Sequence, residues 1–237
     1  MFLGRRTTQA EYFDSARPAQ EISEFYRSLE RLNRLFVFAE PFQRMLPRLL
    51  GENQCRSLSV LDLGAGDGSL AQVLSKWALQ RGWLWRFTSL DLSAEALRLV
   101  SEGNKVAGSV LALPFASNSF DVVIASQMTH HLADGEASQH LREAWRVSRQ
   151  GVLVSDLHRN FVLYLILWML FCVQRFPQVF RSDGLLSVRK AWRVPELRQL
   201  AQQAGIPEAR VSLYFGARVL LQARKKATPA EAGCPLA

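Results

Sequence analysis

The sequence predicts an α/β protein with a doubly wound parallel sheet that carries helices on both faces. One observation is an apolar strand that runs into a glycine-dense turn and a helix at residues 60–70. Another is the alternation of strand and helix patterns after it, which favours a parallel sheet because crossover connections are right-handed. The third is a closing pair of strands, Arg210 to Tyr214 and Ala217 to Ala223, which predicts a C-terminal antiparallel hairpin.

The N-terminal segment has the periodicity of helices. Apolar residues recur at helical spacing between Ala19 and Leu32, and a second apolar run extends from Leu35 to Leu50. We therefore expect residues 1–52 to form an N-terminal helical cap over a domain of residues 53–223, followed by a flexible tail at residues 224–237. A chain of 237 residues, 49% of them hydrophobic, is long enough to bury a large core.

The glycine-dense turn predicts a binding site for a nucleotide-like cofactor. Gly64, Gly66 and Gly68 let the backbone take positive φ and approach a ligand closely. Asp62 and Asp67 place two carboxylates in the same turn, and like charges argue against a phosphate ligand there. S-adenosylmethionine, which carries an ammonium, a sulfonium and an adenosine but no phosphate, fits this charge pattern better.

With this turn in view, the chain resembles the small-molecule branch of the class I S-adenosylmethionine-dependent methyltransferases, whose first motif reads acidic-x-G-x-G-x-G. The resemblance covers about residues 58–223 and implies a Rossmann-like, seven-stranded sheet. It also implies that Asp91, at the end of the second strand, binds the ribose hydroxyls and that the segment before the fourth strand borders the adenine. In that segment Ser109 replaces the usual aspartate, and its hydroxyl is a weaker acceptor. The cofactor-binding residues that the resemblance implies are Asp62, Gly64, Ala65, Gly66, Gly68, Asp91, Leu92, Ser109, Val110, Ser126 and Gln127.

A run of apolar residues after the fifth strand suggests a lipophilic acceptor. Phe161 to Val173 are thirteen consecutive apolar or aromatic residues within an insert at about residues 157–190, fewer than the roughly 17 to 25 that span a bilayer. A buried core helix is one interpretation, and the wall of an apolar acceptor pocket is the other. The flanking Arg159, Arg175 and Arg181 also suit a peripheral membrane interface.

A weaker resemblance narrows the acceptor class. Residues 155–160, 186–192 and 195–197 are similar to methyltransferases found beside bacterial type III polyketide synthases. This implies a small lipophilic acceptor such as a polyketide-derived phenol or pyrone, methylated on oxygen. C-methylation of a quinone-like ring remains an alternative.

Histidines at the predicted ligand edge of the sheet are candidate general bases. A phenol titrates at about 10 and an imidazole at about 6.5, so a histidine is a suitable proton acceptor. His130 and His131 follow the fourth strand and His158 follows the fifth, at the carboxyl edge where open α/β sheets bind ligands. We rank His131 first and His158 second; a histidine that caps a helix or satisfies a loop carbonyl is the alternative for each.

The net charge of +8 is compatible with a nucleic-acid substrate, because a basic surface attracts the phosphate backbone. Against this, residues 126–131 lack the proline-proline-aromatic segment typical of methyltransferases that act on base amines. We therefore interpret the basic residues as a solvated surface rather than a nucleic-acid binding site. A nucleic-acid methyltransferase and a catalytically silent cofactor-binding scaffold remain alternative functions. The oligomeric state is not indicated.

Cysteine and histidine spacing favours a reducing, cytoplasmic setting without a metal. Cys55, Cys172 and Cys234 form no C-x-x-C pair, and the four histidines lack zinc-binding spacing. Residues 1–18 lack the apolar core of a signal peptide and are expected to be loosely ordered.

Overall fold

The computed structural model describes residues 3–206 and 208–225 and contains one seven-stranded sheet with strand order β3-β2-β1-β4-β5-β7-β6. The strands are β1 (Ser57–Leu63), β2 (Leu84–Asp91), β3 (Asn104–Ala107), β4 (Phe120–Ser126), β5 (Ser148–Leu157), β6 (Arg210–Tyr214) and β7 (Arg218–Arg224). The helices are α1 (Ala19–Phe36), α2 (Glu40–Leu50), α3 (Ser69–Leu79), α4 (Ala94–Leu99), α5 (Asp134–Val147), α6 (Phe161–Val173), α7 (Gln178–Lys190) and α8 (Val194–Gln203).

The central strands are parallel and buried, as the sequence predicts. Strand β1 pairs in parallel with β2 and β4, and its apolar residues pack against helices on both faces of the sheet. Strand β7 runs antiparallel to β5 and β6. Three residues, Phe215, Gly216 and Ala217, connect β6 to β7, and the first two have positive φ values of 45° and 69°. The predicted Rossmann-like sheet with its antiparallel hairpin is confirmed.

The two cap helices have different roles. Helix α2 packs beneath the sheet, where Phe42, Leu46 and Leu50 are buried with the apolar residues of β1 and α3. Helix α1 instead places Phe25 and Leu29 against the apolar cluster formed by α6 and α7. The cap is therefore partly core and partly a cover over the ligand edge of the sheet.

Residues 3–18 are held by contacts with distant parts of the chain and are not loosely ordered. Arg6 donates hydrogen bonds to the backbone oxygens of His130, Leu132 and Lys190, and its guanidinium lies 3.7 Å from the ring centroid of Trp192. A short 3₁₀ helix follows at Tyr12–Asp14. The expectation of loose order fails because these contacts are with residues more than a hundred positions away, which a local pattern does not reveal.

Helix α6 separates its apolar residues between two environments. Leu163, Leu167 and Phe171 are buried, whereas Phe161 and Trp168 are 63% and 49% exposed. Within residues 3–206 and 208–225, no helix combines the length and the apolar character that crossing a bilayer requires.

The predicted tail falls mostly outside the described residues, as does Cys234. Arg224 is the last residue of β7, and the N–H of Lys225 donates to the Gln150 oxygen at 2.7 Å. The domain boundaries proposed from the sequence stay a prediction.

Candidate active site

A cavity of about 880 Å³ lies at the carboxyl ends of β1, β2, β4 and β5. Its cofactor end is formed by the glycine-dense turn, the end of β2 and the segments around Ser109 and Gln127. Its acceptor end is formed by residues 11–17 together with α1, α6, α7 and the start of β7. Open α/β sheets bind ligands at this edge.

The glycine-dense turn requires glycine at each of its three positions. Gly64, Gly66 and Gly68 have φ values of 66°, 57° and 75°, a region that side chains disfavour. A Cβ on Gly64 would lie 2.8 Å from Met128, and one on Gly66 would lie 2.7 Å from the Tyr26 ring of α1. The backbone of this turn is therefore covered by the cap as well as open to the cavity.

The strand-end carboxylates give the cofactor end its charge. Asp91 accepts hydrogen bonds from the N–H groups of Gly66 and Ser93, both at 2.8 Å, and burial raises its pKa. Asp62 is fully buried, and its Oδ2 has no hydrogen-bond partner among the described residues. Burial, followed by the charges of Asp91 and Asp67, raises the pKa of Asp62 to about 8. A cationic ligand would relieve this concentration of acidic groups.

A buried histidine–aspartate pair faces the cavity beyond the turn. The Nδ1 atom of His130 lies 2.6 Å from Oδ1 of Asp156, and the His130 backbone N–H donates to Oδ2 at 2.8 Å. Burial opposes ionisation of Asp156, but the charge and hydrogen bond of His130 outweigh it and lower its pKa. When the imidazole is neutral, Nδ1 carries the hydrogen because an ionised carboxylate only accepts, and Nε2 then keeps its lone pair. Nε2 is buried and has no hydrogen-bond partner among the described residues.

His131 belongs to a second, more exposed acidic network. Its Nδ1 lies 2.6 Å from Oδ1 of Asp14, and Lys190 Nζ lies 2.8 Å from the other oxygen of that carboxylate. Burial opposes ionisation of Asp14, but the hydrogen bonds from His131 and Lys190 hold its pKa below the usual range. Lys190 Nζ is also 3.3 Å from Oε1 of Glu11, whose pKa is raised by burial despite His131 and Lys190.

The third histidine candidate lies elsewhere. His158 is not among the described residues that line the cavity, and its Nδ1 lies 3.0 Å from the side-chain nitrogen of Asn160. Burial lowers the pKa of His158. The same Asn160 amide also donates to the backbone oxygens of His158 and Gly216, so this cluster fixes a loop.

The structure brings most of the proposed cofactor residues together. Ten of them line the cavity: Asp62, Gly64, Ala65, Gly66, Asp91, Leu92, Ser109, Val110, Ser126 and Gln127. Gly68 does not, because it faces Val100, where a Cβ would lie 3.0 Å from Cγ1. The cofactor roles of these residues stay predictions.

A metal ion is one further possibility for the histidine cluster. Ligand atoms of Glu11, His130 and His131 all lie within 4.8 Å of one another. The Lys190 ammonium beside Glu11 opposes a second cation at this point, because like charges repel. The absence of a metal from this site stays a prediction.

Apolar side chains form one wall of the acceptor end of the cavity. These side chains come from three helices: Phe25, Leu29, Leu32 and Phe36 of α1, Leu163 and Leu167 of α6, and Phe180 of α7. The two readings of the apolar insert therefore coexist, since Leu163 and Leu167 are buried and also line the cavity.

The sequence analysis did not identify several residues of this site. Asp156 had a detectable signal, because it ends the apolar run of β5 as Asp62 and Asp91 end theirs. Glu11 and Lys190 carried no such signal, since they meet only through contacts between the N-terminal segment and the end of α7.

Comparison with known proteins identifies the central part of the chain. Residues 61–155 match the family model described as a methyltransferase domain. These residues are similar to that family, and the match covers less than half of the chain. The plantazolicin methyltransferase BpumL, solved in complex with SAH, superposes with a TM-score of 0.65 at 14% identity, covering 87% of this chain and 90% of that one. At that identity the likeness shows the fold, which is the class I methyltransferase fold that the sequence predicts.

Curated relatives align over short segments. The chain is 38% identical over 78 residues to the human protein named arginine-hydroxylase NDUFAF5, mitochondrial, covering 31% of this chain and 21% of that protein. It is 30% identical over 99 residues to the demethylmenaquinone methyltransferase of Roseiflexus sp. (strain RS-1), covering 41% of each. These segments span less than half of the relatives' length. Because one relative is named a hydroxylase and the other a methyltransferase, the reaction has to be argued from the site.

Proposed function

We propose that this protein binds S-adenosylmethionine and transfers its methyl group to an oxygen of a small lipophilic acceptor, such as a polyketide-derived phenol or pyrone. One observation carries the proposal. A single cavity joins the glycine-dense turn and its carboxylates to the His130–Asp156 pair and to an apolar chamber. Cofactor, proton acceptor and hydrocarbon wall thus share one space, in which the reacting groups can be positioned against one another.

The cofactor end matches the chemistry of S-adenosylmethionine. Asp91, at the end of β2, is an acceptor for the ribose hydroxyls, and the buried Asp62 favours a nearby positive charge. Ser109 and Val110 border the region assigned to the adenine. The presence of SAH in a structural neighbour supports the same cofactor here.

The His130–Asp156 pair is the best placed proton acceptor. Bound S-adenosylmethionine would supply the methyl group and become S-adenosylhomocysteine, and Nε2 of His130 would accept the proton of the acceptor hydroxyl whose oxygen takes the methyl group. Asp156 holds the imidazole orientation and stabilises the imidazolium that forms. His131, the first choice from sequence, becomes the second candidate: it forms a similar pair with Asp14, but its side chain is 34% exposed, whereas that of His130 is buried.

Methylation of a ring carbon is the second candidate reaction. The relative named demethylmenaquinone methyltransferase supports it. A base at His130 would then remove the ring proton after methyl transfer, so the same residues serve either acceptor atom.

We further propose that the exposed face of α6 rests on an anionic membrane surface, from which a lipophilic acceptor enters the cavity. Trp168 and Met169 on this face are 49% and 47% exposed, and Arg175 and Arg181 beside it are exposed as well. Apolar side chains flanked by arginines suit a bilayer interface. Flotation with anionic vesicles tests this: we expect Trp168→Ser to reduce binding, and equal binding by zwitterionic vesicles or by the variant would contradict it.

The decisive experiment for the reaction uses methyl-labelled S-adenosylmethionine. The protein is incubated with the labelled cofactor and a cell extract, and with a panel of alkylphenols, and the labelled product is identified. We expect label in a lipophilic phenol or pyrone ether. Label in RNA would favour a nucleic-acid methyltransferase, and tight cofactor binding without any labelled product would favour a scaffold.

A further inference from the structure

Arg218 is a buried cation in the cavity wall without a bonded partner. It opens β7, opposite Leu157 of β5, and is 7% exposed. Both residues line the acceptor end of the cavity. The Arg218 guanidinium makes no hydrogen bond within residues 3–206 and 208–225, and its Nη1 is fully buried.

The nearest acidic groups are engaged with other residues. Asp156 is bonded to His130, and Glu40 accepts from the Tyr214 hydroxyl and pairs with Arg44. Burial lowers the pKa of Arg218 to about 10, with Asp156, Glu40 and Tyr214 opposing the shift, so the group remains charged at neutral pH. Burying an unpaired charge is costly, and such a group is expected to have a partner in the working state of the protein.

We propose that Arg218 binds a carboxylate of the acceptor, so that the acceptor is a phenolic acid bearing a hydrocarbon chain. The inference rests on the proposed function and specifies its substrate class. Arg218 and His130 both line the cavity, so the anion subsite shares one space with the proposed proton acceptor. The chain then extends along Leu163 and Leu167 of α6.

The chemistry of arginine makes the choice of a carboxylate specific. A guanidinium presents planar, paired donors that match the two oxygens of a carboxylate. A neutral phenol offers one oxygen and no charge, so it leaves the buried cation uncompensated. Discrimination between these two ligands is therefore the property that Arg218 controls.

The test uses calorimetric titration of the SAH-loaded protein with para-octylbenzoate and with para-octylphenol, which share one hydrocarbon chain. We expect the wild type to bind the benzoate about ten- to a hundred-fold more tightly than the phenol. Arg218→Gln should remove this preference, and Arg218→Lys should retain part of it. The control is Arg210→Gln, which neutralises an exposed arginine on β6 and should leave the preference unchanged.

Thermal melting separates a ligand role from a structural one. Because the charge is unpaired in the free protein, we expect Arg218→Met to melt at or above the wild-type temperature. A wild type that binds both ligands equally, an Arg218→Gln variant that keeps the preference, or a destabilised Arg218→Met variant would each overturn the proposal. Loss of SAH binding by the wild type would instead defeat the proposed function, which keeps the two failures distinct.

Discussion

The two ends of the cavity are built in different ways. The cofactor end comes largely from one continuous stretch, in which the turn after β1 and the carboxylate ending β2 are joined by the Gly66 to Asp91 hydrogen bond. The acceptor end is assembled from segments far apart in sequence, such as Glu11 and Lys190. The first end therefore carries the general chemistry of the fold, and the second carries what is particular to this chain.

The largest expected effect lies at the acceptor end. We expect His130→Ala to reduce turnover by about 10² to 10⁴-fold with little change in cofactor affinity, because a general base acts on the acceptor. Initial rates and calorimetry on the same preparation check this, with His158→Ala as a matched control outside the cavity wall.

Two further outcomes bear on His130. A larger loss in His131→Ala than in His130→Ala would exchange the roles of the two residues. A chelator is expected to leave the rate unchanged, since Lys190 lies beside Glu11. Loss of activity on chelation, with recovery on adding a divalent ion, would make the histidine cluster a metal site.

The reverse pattern is expected at the cofactor end. Asp91→Ala should weaken cofactor binding by about ten- to a hundred-fold for each ribose hydrogen bond lost. Asp91→Asn keeps one acceptor oxygen for the Gly66 N–H and should lose less. Calorimetric titration measures both, and an unchanged affinity in folded Asp91→Ala protein would remove this residue from the site.

Substitutions on the buried and exposed faces of α6 test whether this helix forms a wall of the acceptor end. We expect Leu167→Ser to raise KM for long-chain acceptors more than for short ones, because each methylene buried against this wall contributes about 0.8 kcal/mol. Trp168→Ser, on the exposed face, should leave this chain-length dependence unchanged. Steady-state kinetics with a series of acceptors of increasing alkyl-chain length measures this dependence for both variants. A flat series for Leu167→Ser, with early melting, would leave α6 as a core helix only.

A smaller effect concerns Asp62. Its pKa is about 8 in the folded protein, against about 4 in an unfolded chain. The folded protein thus keeps a proton that the unfolded chain releases, so the free energy of unfolding falls as pH rises through this interval. We expect Asp62→Asn to melt above the wild type at neutral pH, with the difference shrinking toward acidic pH, in calorimetric scans. A lower melting temperature at neutral pH would show that the carboxyl group is stabilising.

Much of the fold and of the cofactor end could be predicted from sequence, because their signals are local. Asp62 and Gly64 stand in one short motif, and the periodicity of β1 and α3 is visible along the chain. The sequence did not show which neighbouring side chain requires glycine at position 66. The sequence suggested that Gly66 lets the backbone approach a ligand, and the structure adds that a Cβ at this position would meet the Tyr26 ring.

The acceptor end was predicted less completely because its determinants are contacts. His130 and His131 are adjacent in sequence, yet one is buried against Asp156 and the other is partly exposed beside Asp14. Residue type and position did not separate them. His158 satisfied the same positional argument, but the Asn160 side chain engages it in a loop.

The packed N-terminal segment has a consequence for the order of folding. Arg6 binds the Lys190 oxygen across 184 positions, and Asp14 binds Lys190 across 176. Contacts between such distant parts of a chain form slowly, because a long loop must close first. During synthesis Arg6 and Asp14 leave the ribosome before Lys190, so they can make these contacts only after it has emerged. The acceptor chamber is therefore expected to close only after the central sheet has formed, and refolding followed by probes of each would show two phases.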